Sequence, residues 1–139
     1  MKLTKHGSCL IGILTVRIKK DLDQFNQALE LAEARGMLVA WSNDAIELWF
    51  LLHYQHLASA THRSVLFDKL SVQIKTKYIK GKGSEIYDLV KSSRAIAISR
   101  AKSLHEEAKA RGTRPSDANP CTTVYQLVEK LAAEPGFRD

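Results

Sequence analysis

Cysteine is scarce in this chain, with only Cys9 and Cys121 in 139 residues. Two isolated thiols supply neither a disulfide framework nor a thiolate metal site, and such usage fits a reducing cytoplasm. No P-loop, no GxGxxG and no HExxH occurs, which excludes the common sequence routes to a bound nucleotide or a zinc-protease centre. GKGS at 81–84 has a lysine between two glycines but not the spacing of a nucleotide loop, so it reads as a turn. The five histidines, at 6, 53, 56, 62 and 105, show no metal-ligand spacing. Internal repeats and low-complexity tracts are missing as well. SCLIGILTV, 8–16, follows Lys2 and Lys5 in the manner of a leader, yet it has no convincing cleavage site and runs into RIKK. A membrane-spanning helix needs about 20 apolar residues, and this run is far shorter. Ile11, Ile13, Leu14, Val16 and Ile18 are largely β-branched, so a buried strand is expected there and no membrane partner.

What is present is ordinary for a globular protein: 45% hydrophobic and 26% charged residues. The length suits one domain, 1–139, large enough to bury a core. The net charge of +6 is concentrated in one place. Residues 63–114 hold 13 Lys and Arg against 5 Asp and Glu, whereas 1–62 balance and 115–139 are slightly acidic. A basic face of this kind attracts phosphates by releasing counterions; a solvated surface that aids solubility is the plainer alternative.

The hydrophobic pattern divides the domain. A strand within 9–18, a helix over QFNQALELAEARG closed by Gly36, and a strand at 37–41 give a βαβ-like segment, 9–41, with a parallel pair. SNDAIELWFLLHYQHLASA reads as a second helix, apolar nearly all round and hence buried, with Asn43 or Asp44 as its N-cap. Asp44 and Glu47 have the spacing of a capping box. Four further helices are expected over 62–79, 84–93, 94–111 and 121–134, which makes 42–134 an all-helical region, with tails at 1–8 and 135–139.

Two groups of residues could carry chemistry. Asp21 and Asp23 follow the first buried strand in an apparent βα loop, where parallel α/β folds place ligands. Paired carboxylates there can hold Mg²⁺ for phosphoryl chemistry, or they can simply cap the helix that follows and complement its dipole. The second group is VAWSNDAIELWFLLHY, 39–54, where Glu47 and His53 interrupt apolar sequence. Six residues apart, they point about 120° from one another on a straight helix and cannot share a small ligand unaided. His53 reads as a hydrogen-bonded structural histidine.

These stretches resemble a known family. Ser42, Asn43, Glu47, Leu48, Trp49, Leu51, Leu52 and His53 match the Ser-Asn-Pro-type turn, Phe-Glu-Leu-Trp and Leu-Leu-His pattern of the RloB-like family, which includes the AbiL abortive-infection component. Asn119, Pro120, Thr122, Thr123, Val124 and Tyr125 match its later Asn-Pro…Thr-Thr-Val-Tyr, and Tyr78, Lys80 and Tyr87 fit between. The similarity covers about residues 21–134. It implies a bacterial phage-defence protein linked to restriction loci, with a Toprim-like α/β core, a fold of metal-dependent nucleases, primases and topoisomerases. The implied fold class is α/β: a truncated Toprim-like parallel-sheet (βαβ) N-terminal part followed by an all-helical C-terminal part.

On that resemblance Asp21, Asp23 and Glu47 are the candidate catalytic acids, with Asp21 and Asp23 holding Mg²⁺. Lys75, Lys77, Lys80 and Lys82 become the candidate nucleic-acid contacts. The chain also departs from the family pattern. Nothing here matches the family's CEGxxTE-like segment, which would supply a further glutamate, and Ile18 and Lys20 stand where acids are expected, so that only Asp21 matches. A second reading therefore stands beside the nuclease: a non-catalytic module that binds nucleic acid or a partner ATPase of the same defence locus. A remnant without activity is the third.

Overall fold

The computed structural model describes residues 2–6, 9–15 and 22–136. Lys2–His6 (β1) and Cys9–Thr15 (β2) pair antiparallel, with His6 opposite Cys9. Leu22–Ala34 (α1) buries Phe25, Leu29 and Ala32, the i, i+4, i+7 stripe of an amphipathic helix. Its end is set by Gly36, whose φ of 71° closes a Schellman turn. In that turn the Gly36 N–H donates to Glu33 O at 3.0 Å and the Met37 N–H to Ala32 O at 2.9 Å. The chain then runs back through Leu38–Asn43 (β3), parallel to β2, with Ile11 opposite Leu38 and Thr15 opposite Ser42.

After β3 the chain is helical but for one short return to the sheet. Glu47–Leu52 (α2), Arg63–Ile74 (α3), Gly83–Val90 (α4), Arg94–Ala110 (α5) and Val124–Ala133 (α6) follow in order. Between α5 and α6, Cys121–Thr122 (β4) pairs antiparallel with β3, Ser42 opposite Thr122 and Asn43 opposite Cys121. The sheet order among the described residues is β1-β2-β3-β4. None of the helices among the described residues is long and apolar enough to cross a membrane.

Helix α2 occupies the centre. Leu48, Leu51 and Leu52 have no exposed surface. They pack with Leu66 of α3, with Ala97, Ala101 and Leu104 of α5, and with Val124 and Tyr125 of α6. Alanines on α5 let that long helix come close to α2, so small residues there serve packing. A second cluster joins Phe25 and Leu29 to Trp41, Ala118 and Cys121 on the other side of the sheet's end. A third, of Leu70, Tyr78, Ile86 and Val90, ties α3 to α4.

The α/β class expected from sequence is what forms, without the Toprim-like parallel sheet. Several finer expectations are corrected. The sheet is mixed rather than parallel, since β2–β3 is the parallel pair and both flanking pairings are antiparallel. Residues 42–134 are not all helical, because Cys121–Thr122 satisfies the open edge of β3. Lys2–His6, expected as a tail, is a strand. Helix α2 ends at Leu52 rather than near Ala60, and residue 46, not Asn43 or Asp44, sits at its N-cap, with no side-chain cap bond. The side chains of Asn43 and Asp44 are engaged elsewhere, as described below.

The burial pattern fixes where truncation is costly. Leu51→Ala is expected to lower unfolding free energy by about 2–5 kcal/mol in urea titrations, because it opens a cavity in the central cluster. Val72→Ala, at a site 74% exposed, should change it by less than about 0.5 kcal/mol. Equal effects at the two sites would contradict this placement of the core.

Candidate functional site

The residues after β3 form a polar knot at the end of the sheet. The Trp41 N–H donates to Thr123 Oγ1 at 2.9 Å, and the Thr123 N–H returns a bond to Trp41 O at 2.8 Å. Thr122 Oγ1 donates to the same carbonyl at 3.3 Å. Ser42 Oγ donates to Ala45 O at 2.8 Å, and Asn43 Nδ2 donates to Ser116 O at 2.9 Å and Pro115 O at 3.3 Å. Ser42, Asn43, Ser116, Thr122 and Thr123 are all buried; bonds to backbone make that burial tolerable for four of them, and Ser116 Oγ accepts from Asn26 Nδ2 at 2.8 Å. Asn119 holds the α2–α3 connection, accepting from the Thr61 N–H at 3.1 Å and donating to Thr61 O at 3.3 Å. The Asn43–Asp44 and Asn119–Pro120 peptide bonds are both cis.

Asp44 caps a different helix from the expected one. Its Oδ2 accepts the Arg63 N–H at 2.9 Å, at the first residue of α3, and its Oδ1 pairs with the Arg63 guanidinium at 3.0 Å. A carboxylate there complements the positive end of the α3 dipole.

Glu47 is fully buried at the start of α2. Tyr78 donates its phenol hydroxyl to Glu47 Oε1 at 2.7 Å. Glu47 Oε2 has no hydrogen-bond partner, and no other buried side-chain polar atom among the described residues is in that position. Burial, reinforced by the bond to Glu47, holds the Tyr78 phenol well above its ordinary range. Tyr78 is in turn the pivot of a basic loop. Lys75 ends α3 in the left-handed region, φ 59°, and Lys77, Lys80 and Lys82 follow before α4. All four lysines are exposed, while Tyr78 between them is buried. The Tyr78 N–H also donates to Ser71 Oγ at 2.9 Å, so the loop is fastened to α2 and to α3 at one residue. Lys82 makes a 3.6 Å ion pair with Glu85, both exposed, a contact of small energetic worth.

His53, at the end of α2, bonds through Nδ1 to Trp49 O at 2.9 Å and stacks edge-on against the Trp49 ring, centroids 4.8 Å apart. A carbonyl only accepts, so Nδ1 carries the proton and Nε2 is the acceptor nitrogen of a neutral ring. Burial lowers the His53 pKa below its usual value. Tyr125 opens α6 buried, its hydroxyl 2.9 Å from His105 Nδ1. Pro120 is half-buried and Tyr87 exposed.

The candidate acids are not gathered among the described residues. Asp23 lies in the first turn of α1, where it complements the helix dipole, and is 82% exposed and 3.4 Å from the Arg114 guanidinium, which also holds Asp117 at 2.9 Å. Glu47 is bonded to Tyr78 inside the core. Asp21 lies outside the described residues. Among those described, no group of three or more His, Cys, Asp or Glu is placed to hold a metal ion. One carboxyl turned to an arginine and another enclosed beside a tyrosine do not fit a shared Mg²⁺. The four lysines fall on one loop, because the helix expected over 62–79, which would have taken in Lys75 and Lys77, ends at Ile74. The Tyr78–Glu47 bond was not legible in the sequence: thirty-one residues separate the pair, and no periodicity links them.

Removing the Tyr78 hydroxyl leaves the buried Glu47 carboxyl without its one donor. Tyr78→Phe is therefore expected to destabilise the protein by about 1–3 kcal/mol, and a cycle with Glu47→Met should give a coupling of about 1 kcal/mol or more. Additive single effects in urea unfolding would show that the bond contributes nothing.

A family model described as RloB-like protein matches residues 16–131. No curated protein and no solved structure matches the chain.

Proposed function

The chain belongs to the RloB-like family, and on that premise we propose that it is a phage-defence protein that holds nucleic acid by its phosphates on the Lys75–Lys82 loop. The observation that carries this reading is the fastening of the loop. Four exposed lysines sit on a segment whose middle residue, Tyr78, is hydrogen-bonded to the core helix at Glu47 and to Ser71. A loop held in this way presents charge at a fixed place, which lowers the cost of ordering it on binding. The net charge of +6 and its concentration between residues 63 and 114 favour an anionic partner in the same region.

Kinship with Toprim nucleases rests on the family resemblance and on the order β2–α1–β3, with Asp21 and Asp23 following the end of β2. In our reading Glu47 is a structural anchor, and this chain binds without cutting. That assigns most of the family-motif residues a place: Ser42, Asn43, Thr123 and Asn119 in the knot at the sheet's end, Glu47 and Trp49 in α2, Tyr125 in α6.

Fluorescence anisotropy with labelled single-stranded DNA and RNA, repeated at several salt concentrations, tests the reading. Four phosphate contacts on a single strand give a slope of log K against log salt of about −3. Replacing Lys75, Lys77, Lys80 and Lys82 by alanine should remove most of that slope. Undetectable or salt-independent binding would overturn the nucleic-acid reading in favour of a protein partner such as the ATPase of a defence locus. Incubation with Mg²⁺ or Mn²⁺ should leave both nucleic acids intact; cleavage that Asp21→Ala abolishes would make the chain a nuclease instead.

A further inference from the structure

Between α2, α4, the start of α5 and α6 lies a cavity of about 160 Å³ that none of the family-motif reasoning above explains. Its wall is unusually aromatic for so small a space: Trp49, Phe50 and Tyr87 line it, together with the His53 ring. At its edge stand two cations, Lys91 and Arg94. Lys91 is exposed and makes only a 3.4 Å surface pair with Asp88. The remaining wall is aliphatic, from Val90, Val128 and Leu131.

Size, shape and charge together restrict the occupant. A cavity of about 150 Å³ takes a single six-membered ring such as benzene, so one ring fits and a fused pair does not fit entirely. Aromatic walls favour a flat π-face, the mode by which proteins take unpaired bases. His53 adds one polar feature to the wall. Its Nδ1 is committed to Trp49 O, which leaves Nε2 as an acceptor able to receive a ring N–H. The cations add an anion to the description, through charge-assisted bonds. A uracil or thymine nucleotide brings these features together: a planar six-membered ring with an N–H, and a phosphate.

We infer that this cavity is a pocket for one uracil or thymine nucleotide: the base between Trp49, Phe50 and Tyr87, its ring N–H toward His53, and its phosphate on Lys91 and Arg94. The inference deepens the nucleic-acid reading and rests on it where the nucleotide is part of a strand; a free nucleotide would bring the same chemistry. The pocket adds base contact to a protein whose lysine loop supplies only backbone contact, and so gives it a means of preferring unpaired uracil or thymine sites.

The test uses the unmodified chain. Its two indole N–H signals in ¹⁵N-correlated NMR come from Trp41, packed against Phe25 in a separate cluster, and Trp49 in the pocket. Uridine monophosphate is expected to shift one indole signal saturably and leave the other in place. Uridine and ribose 5-phosphate should each bind about tenfold more weakly, since each loses one half of the contacts. Adenosine monophosphate should bind more weakly than the uridine nucleotide. Lys91→Glu, at an exposed position, should weaken the uridine nucleotide by about tenfold or more, and Val128→Phe, which fills the cavity without adding an indole, should abolish the shift. If uridine monophosphate moves neither indole signal, or binds equally well to both variants, the inference is overturned. A short oligouridylate distinguishes the sources: competition with the mononucleotide identifies a strand, and binding without competition identifies a free nucleotide, the pocket standing in either case. The lysine-loop variant separates the two proposals. Loss of oligonucleotide binding with the mononucleotide shift retained confirms the pocket independently of the loop, whereas oligonucleotide binding that leaves Trp49 unmoved refutes the pocket and leaves the loop reading intact.

Discussion

A carboxyl group with no exposed surface must be held by a donor or leave the core, and in this protein Glu47 is held by Tyr78. That single contact joins the central helix to a loop thirty-one residues further along. It explains why an acid is tolerated among Leu48, Trp49, Leu51 and Leu52, and why a tyrosine stands in the middle of the lysines of KTKYIKGK. Leaving a buried polar group unpaired costs more than its hydrogen bond returns when made, so each of the two residues constrains the other. A hydrophobic residue at 47 would satisfy the core equally well but would not fix the loop.

The polar knot at the end of β3 works by the same rule. Serine, asparagine and threonine side chains are buried there because each finds a backbone group. Together they bind segments from 41–44, 61–63, 115–116 and 119–123 that no hydrophobic pattern would bring into register. Two-residue β4 is too short to hold the edge of β3 by its ladder bonds, and the Trp41–Thr123 exchange extends the pairing by one step. The matched stretches of the family pattern are thus two sides of one joint, and the lysine loop hangs from the helix that leaves that joint.

Much of the element sequence was readable from periodicity. Phe25, Leu29 and Ala32 announce α1, Gly36 announces its end, and the apolar density of 46–52 announces a buried helix. What periodicity could not give was anything decided at long range. Asn43 and Asp44 carry N-cap chemistry by residue type, but Asn43 reaches backbone near residue 115 and Asp44 caps α3. The pairing of Cys121–Thr122 with β3 was hidden because a two-residue strand has no period to detect. Asp21 and Asp23 were read with a ligand-binding alternative to capping; Asp23 is found on the first turn of α1 facing Arg114. The clustering of the lysines was legible as charge, but their loop was not, since the helical pattern runs on to residue 79 while α3 ends at Ile74, and the tyrosine that anchors them became meaningful only beside Glu47.

The central claim is that Glu47 acts through Tyr78 to hold the basic loop in place. Amide hydrogen exchange on the wild type and Tyr78→Phe measures this directly. The claim predicts that amides of residues 75–82, including the Tyr78 N–H that bonds Ser71, exchange about tenfold or more faster in the variant, corresponding to about 1.4 kcal/mol or more of lost local protection, while the amides of α5 change only with global stability. Loop protection that is unchanged in Tyr78→Phe would contradict it.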